Sequence, residues 1–353
     1  MEQQRIAVLG AGSWGTGLAS VLSDNGHDVC MWTIEADLAE QMNVQRENKR
    51  YLPGLRLKDN ISVTTDLNAA LLRAEVILFV VPTKAIREVA LKVKDILAQE
   101  KLAPPLIVHA SKGLEQGSHE RISQILKEVL PADSYTGLAI LSGPSHAEEV
   151  AKKDITTITA ASEDLAVAET IQDLFLNDYF RVYTNTDVVG VELGGALKNI
   201  IALAAGGVDG LDFGDNTKAA LITRGLAEIT RFGLSQGADP LTFSGLSGVG
   251  DLIVTCNSQH SRNWRAGYQL AQGKKAAEIE AEMGMVVEGI PTTKAVFELA
   301  QDLAIDMPIT QMLYQIIYKG AEVDASLKSL MQRRGKSEVQ LRQALDQYLK
   351  NRE

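Results

Sequence analysis

The feature that most constrains this chain is the run Gly10-Ala11-Gly12-Ser13-Trp14-Gly15, a G-x-G-x-x-G. It follows an apolar run at 6–9 that reads as a strand, and it opens a helical pattern at 16–25. A strand that enters a helix through three spaced glycines is the context in which such a run cradles phosphates. The first glycine permits the tight turn. The second lets a pyrophosphate approach the backbone, and the third lets helix and strand pack closely. The helix start then offers free N–H groups and a positive dipole end to an anion. The residues predict a dinucleotide-binding loop, weighed against a plain structural turn.

The first half of the chain continues in the same alternation. Runs at 29–32, 61–64, 76–81, 106–109 and 138–141 read as further strands, and 86–99 and 119–129 as helices. Several runs are apolar throughout, as strands covered on both faces should be. Stretches at 155–160 and 180–184 could add edge strands. This succession implies a parallel sheet with right-handed crossovers. After about Val188 helical periodicity takes over, at 191–205, 217–236, 264–272, 275–282, 292–302, 311–318 and 337–350. The expected class is α/β, with an N-terminal doubly wound Rossmann-type sheet over 1–188 and an all-α domain over 189–353.

At 353 residues the chain has room for two domains, and its 45% hydrophobic and 23% charged content is that of a globular protein. A net charge of -10 argues against a nucleic-acid partner. An anionic substrate would then need local cations. Cys30 and Cys256 form no motif, which suggests a reducing compartment. The start of the chain lacks signal-peptide features, and no stretch reads as the roughly 20 apolar residues of a membrane span. These points lead to an expected cytoplasmic protein. The five histidines are dispersed without ligand spacing, so no metal is expected.

Glu35 lies about 20 residues after the glycines, where an acid can take a ribose hydroxyl. Arg46, Lys49 and Arg50 follow it and could instead meet a 2′-phosphate. NAD and NADP both stay open. Lys112 comes just after the fifth strand, and Gly143 and Ser145 follow the sixth, so these loops are expected at the ligand-bearing edge of the sheet. In the helical half, Lys198 sits among small and apolar residues, where a lysine needs a task or a route to water. Gly194, one turn earlier, would leave room for a ligand beside that ammonium. Asp251 follows a glycine turn. Ser261, Arg262 and Asn263 offer a hydroxyl, a guanidinium and an amide suited to phosphate. Ser261 or Asn263 could equally cap a helix.

These motifs together closely resemble the NAD(P)-dependent glycerol-3-phosphate dehydrogenase family. The carriers are G-A-G-S-W-G at 10–15, N-x-x-Y-L-P-G at 48–54, S-K-G at 111–113 and S-G-P-S at 142–145. E-L-x-G-A-x-K-N at 192–199, G-x-G-D at 248–251, S-R-N at 261–263 and V-E-G at 287–289 complete the set. The resemblance implies NAD(P)H-dependent reduction of dihydroxyacetone phosphate to sn-glycerol 3-phosphate by a cytoplasmic homodimer that feeds glycerophospholipid synthesis. It implies that Lys198 transfers the proton, and that Lys112, Gly143, Ser145, Asp251, Ser261, Arg262 and Asn263 line the substrate. Gly10, Gly12 and Gly15, with Ser13, Trp14, Lys112, Ala147, Arg262, Val286 and Glu288, are the implied cofactor positions. Members often carry a basic residue where this chain has Thr33, which bears on any NADP preference. Rival readings are a hydroxy-acid or keto-acid dehydrogenase of related fold and a nucleotide sensor without turnover.

Overall fold

A computed structural model describes residues 2–335. The helical pattern at 337–350 lies outside the described residues. By packing, the chain divides into two compact units, Met1–Ser111 with Ile122–Val188, and Lys112–Arg121 with the chain from Val189 onward. The excursion Lys112–Arg121, which interrupts the first unit in sequence, packs with the second.

The first unit is built on ten strands: β1 (Arg5–Leu9), β2 (Asp28–Trp32), β3 (Glu47–Asn48), β4 (Leu52–Arg56), β5 (Ile61–Thr64), β6 (Val76–Phe79), β7 (Leu106–His109), β8 (Gly137–Ser142), β9 (Thr156–Ala161) and β10 (Phe180–Asn185). Eight of them form one sheet in the order β10-β9-β8-β7-β6-β1-β2-β5. Along β1, Ile6 and Val8 enter one apolar layer and Ala7 and Leu9 the other, so the strand is buried on both faces. That is why it reads as a continuous apolar run.

All six strands expected from apolar runs are present, and the two edge candidates are strands as well. The sheet departs from the parallel expectation at one seam, where β8 and β9 run antiparallel. The run 76–81 ends as a strand at Phe79, because Val80 and Val81 turn into the loop before Pro82. The small antiparallel pair β3–β4 had no sequence signal, since the two residues of β3 are too few for periodicity and β4 carries Pro53 and Gly54.

The second unit is helical, packed around the helix Val188–Gly210. By length and hydropathy, 1.6 over its best window, this helix could cross a membrane, which corrects the expectation that no such stretch exists. It is 94% buried in that window, however, so its apolar surface is spent on the unit's own core. Glycines bring a second helix, Arg262–Ala271, onto it at backbone distance. A Cβ at Gly206 would lie 1.9 Å from the Trp264 carbonyl oxygen, and one at Gly267 would lie 1.9 Å from that of Leu203. This close crossing sets the residues before it, Asn199 and Asn263, side by side.

Candidate active site

In the first unit the glycine run joins β1 to the helix Ser13–Asp24. Its three glycines have three different surroundings. Gly10 has φ +123°, and a Cβ there would stand 2.7 Å from the Val80 carbonyl oxygen. Such a backbone strains any L side chain. A Cβ at Gly15 would lie 2.0 Å from the Gly10 carbonyl oxygen, so the helix can close on the strand only without one. At Gly12 an added Cβ would meet nothing within 4 Å. That open face is where a ligand can reach the backbone. No side chain caps the helix, and no acid stands in its first turn. Its free N–H groups and dipole therefore suit a pyrophosphate, and the loop fits a dinucleotide.

Asn48 holds this loop from behind. Fully buried, it donates from Nδ2 to the Ala11 carbonyl and to Thr16 Oγ1, each at 2.8 Å. Its Oδ1 accepts the Tyr51 N–H at 3.0 Å. Tyr51 carries the connection outward: its carbonyl accepts from Ser13 Oγ at 2.6 Å, and its hydroxyl donates to Glu35 Oε1 at 2.9 Å. Glu35 is thus linked to the phosphate loop through one residue. The three nearby cations separate clearly. Arg46 spends its guanidinium on the carbonyls of Lys58 and Ile61, and Lys49 is exposed. Arg50 pairs with Glu35 and, at 2.5 Å, with Asp37.

The loop after β8 offers the remaining candidates of this unit. Gly143, at φ +151°, has Ile158 Cα 2.9 Å from where a Cβ would be, and its carbonyl accepts from Ser145 Oγ at 3.0 Å. Ala147 begins the next short helix, Ala147–Ala151. It lies 3.8 Å from a Cβ placed on Gly17, whose other neighbour is the Trp14 ring at 3.6 Å. Ser13, Trp14 and Ala147 therefore share one neighbourhood.

The second unit holds a buried polar knot. Asp251, 1% exposed, is the first residue of the helix Asp251–Asn257. Lys112 Nζ donates to its Oδ2 at 2.6 Å, and Lys198 Nζ donates to its Oδ1. Lys198 also donates to Thr255 Oγ1 at 2.9 Å. Burial pulls the Lys198 ammonium down to about 7; Asp251 opposes that fall and Lys112 adds to it. Burial would raise the Asp251 carboxyl, yet the two ammonium groups hold it below its ordinary value. With all three ionised the knot carries a net +1. A local positive charge that can release a proton suits an oxygen gaining negative charge.

Gly194 does not leave the ligand space that the sequence reading expects there. A Cβ there would lie 2.5 Å from the Ser247 carbonyl oxygen, so the gap admits backbone. That backbone is the π-helical turn Leu246–Gly250, which delivers Asp251 to Lys198.

Ser261 is the helix cap its position allowed, with Oγ accepting the Trp264 N–H at 3.2 Å. Asn263 is buried, donating to Asn199 Oδ1 at 2.9 Å and accepting the Gly289 N–H at 2.8 Å. It thereby ties the residue after Lys198 to the residue after Glu288. Arg262 is exposed, and donates from Nη1 to the Val286 carbonyl at 3.0 Å. Thr255 was not singled out in the sequence, and Asn199 entered only as the last residue of the 192–199 motif, with no role given to it. Thr255 lies one helical turn after Asp251, a spacing that could have marked it. Among the described residues, no group of three or more His, Cys, Asp or Glu is placed to hold a metal.

Residues 5–168 match the family model described as the NAD-dependent glycerol-3-phosphate dehydrogenase N-terminus, and residues 187–328 match that for the C-terminus. A protein of Enterococcus faecalis named glycerol-3-phosphate dehydrogenase, NAD(P)+, is 59% identical over 336 residues, covering 95% of this chain and 98% of its own. One of the same name from Latilactobacillus sakei is 57% identical, with the same coverage of 95% and 98%. The crystal structure of glycerol-3-phosphate dehydrogenase from Coxiella burnetii is similar with a TM-score of 0.88 at 37% identity, covering 94% of this chain and 99% of that one.

Proposed function

This chain belongs to the NAD-dependent glycerol-3-phosphate dehydrogenase family, and we propose that it reduces dihydroxyacetone phosphate to sn-glycerol 3-phosphate, reversibly, with NADH or NADPH. The observation that carries this reading is the buried Lys198 ammonium, held with Lys112 on one Asp251 carboxylate.

A bound nicotinamide supplies hydride to the substrate's carbonyl carbon. Lys198 Nζ gives the proton to the carbonyl oxygen, and its lowered proton affinity suits donation near neutral pH. Lys112 supplies positive charge beside it. Asp251 fixes both ammonium groups and Thr255 orients the donor. Arg262, exposed, offers its guanidinium to the substrate phosphate. Gly143, Ser145, Ser261 and Asn263 complete the substrate positions. Ser261 and Asn263 act through backbone order as well, since their side chains are engaged within the unit.

Gly10, Gly12, Ser13, Trp14, Gly15 and Ala147 are the proposed cofactor positions within the first unit. Lys112, Arg262, Val286 and Glu288 are cofactor positions by the family resemblance alone. Residues 1–188, apart from the excursion Lys112–Arg121 that packs with the second unit, serve as the dinucleotide-binding domain and 189–353 as the catalytic domain. The working form is a cytoplasmic homodimer, and its product supplies glycerophospholipid synthesis.

The test follows absorbance loss of NADH and of NADPH in parallel, with dihydroxyacetone phosphate, and identifies the product. Turnover to sn-glycerol 3-phosphate is expected. A folded sample that binds cofactor and turns over neither would overturn the reading.

A further inference from the structure

We infer that Arg121 is a positioning residue for Lys198: through its ion pair with Glu192 it anchors the strap that carries Lys112 to Asp251, and so keeps a second ammonium beside the proton donor. This rests on Lys198 being the donor.

The strap is Lys112–Arg121. Its two ends meet through an antiparallel bridge between Leu114 and Arg121, and the Glu115 N–H donates to the Glu120 carbonyl at 3.0 Å. Leu114 is 3% exposed and sits in the apolar core of the second unit. The tip is fastened by exposed or part-buried contacts, Gln116 Nε2 to the Pro291 carbonyl at 2.6 Å and His119 Nε2 to Glu298 at 3.0 Å. Contacts of that kind contribute little. The base differs. Arg121 pairs with Glu192, whose side chain is 5% exposed. Removing Arg121 takes a cation from a carboxylate that is almost wholly out of water, which costs more than losing a surface contact.

Glu192 and Lys198 lie on the same helix, Val188–Gly210, about 9 Å apart along its axis at 1.5 Å per residue. One rigid element therefore grips the strap's base with Glu192 and presents Lys198 to Asp251. Lys112, two residues from Leu114, is held at the other end of that frame. The charged and titratable groups facing Lys198 are Asp251, Lys112 and the Cys256 thiol. Lys112 disfavours the protonated Lys198, and Asp251 favours it. If the strap's base comes loose, Lys112 withdraws and Asp251 is left to hold the proton on Lys198.

The experiment is the pH profile of kcat for dihydroxyacetone phosphate reduction by the full chain, in Arg121→Met, Arg121→Lys and, for comparison, Lys112→Met. Melting temperature and the KM for NADH are followed alongside. Arg121→Met is expected to lower kcat about tenfold and to move the ionisation of the rate upward by about one pH unit, in the same direction as Lys112→Met. Arg121→Lys should recover most of both, with KM for NADH unchanged. If Arg121→Met does not fold, Glu192→Gln releases the same pair and is read in its place. An ionisation that moves in Lys112→Met but stays at the wild-type pH in Arg121→Met overturns the strap's role. An ionisation that neither variant moves, and that Lys198→Met retains, overturns the donor assignment and this inference with it.

Discussion

In the first unit the candidate cofactor site is made of missing side chains; in the second the candidate chemical site is made of charged ones. Gly10, Gly12 and Gly15 lie within six consecutive residues, and what they offer is bare backbone N–H and space. Lys112, Lys198 and the pair Asp251 and Thr255 come from three distant segments, and what they offer is charge held out of water. The first site tolerates no added volume at two of its positions. The second tolerates no lost partner. A binding loop is therefore broken by addition and a charge cluster by deletion, and the variants below set one against the other.

The largest effect is expected from Asp251→Asn. It leaves the buried Lys198 ammonium and the partly buried Lys112 ammonium without this carboxylate, so stability should fall by about 3–5 kcal/mol. Turnover should fall at least about a hundredfold through misplacement of the donor. Denaturant unfolding and steady-state rates measure the two losses. A variant as stable as wild type would mean that the knot is solvated rather than buried.

Next, Gly15→Ala and Gly12→Ala separate space from approach. The Gly15 Cβ would collide with the Gly10 carbonyl, so melting temperature and cofactor affinity should fall together. The Gly12 Cβ meets nothing, so melting temperature should hold while the Kd for NADH rises about tenfold, near 1.4 kcal/mol. Equal losses of stability in both variants would contradict this division. A smaller change is expected at Glu35, which shares Arg50 with Asp37. Glu35→Gln replaces a charged acceptor for a ribose hydroxyl with a neutral, weaker one and leaves Arg50 freer for a 2′-phosphate. The kcat/KM ratio of NADPH to NADH should rise about tenfold. An unchanged ratio would place the discrimination elsewhere.

A last expected effect, on stability and not on turnover, concerns a buried carboxyl outside both sites. Glu228 accepts the N–H groups of Ile309 at 2.7 Å and Thr310 at 3.3 Å, at the start of the helix Pro308–Lys319. Burial pushes its carboxyl up to about 7, against those two donors. A carboxyl raised on folding contributes stability below its unfolded value near 4.5, and that contribution is lost as pH rises through about 7. The wild-type melting temperature should therefore decline between pH 5 and 8, with about 1–3 kcal/mol lost. Glu228→Gln should flatten the decline. A decline of the same size in the variant would assign it to another group.

The same contrast explains what could be read from sequence. The glycine loop was legible because its parts are contiguous and bounded by a strand and a helix. Buried strands were legible because both faces demand apolar residues. Lys112, Lys198 and Asp251 could each be named, but their meeting at one carboxylate is a product of tertiary packing. The excursion Lys112–Arg121 left no signal, because its anchors Leu114, Arg121 and Glu192 are ordinary residues until Val188–Gly210 gathers them. Gly194 was misread for a related reason: a missing side chain admits ligand or backbone equally, and here it admits Ser247. The β3–β4 pair left no signal, because β3 is too short to show a period and β4 carries Pro53 and Gly54.

The most direct test of the account is the turnover of Lys198→Met with dihydroxyacetone phosphate, in a sample shown by fluorescence to bind NADH. If Lys198 donates the proton, kcat should fall by about 10²–10⁴ with NADH affinity kept. Wild-type reduction should decline as pH rises through about 7, where Lys198 loses its proton. That decline should be absent from the variant's residual rate. Near-wild-type turnover, or the same pH dependence in the variant, would contradict the claim that this buried lysine is the donor.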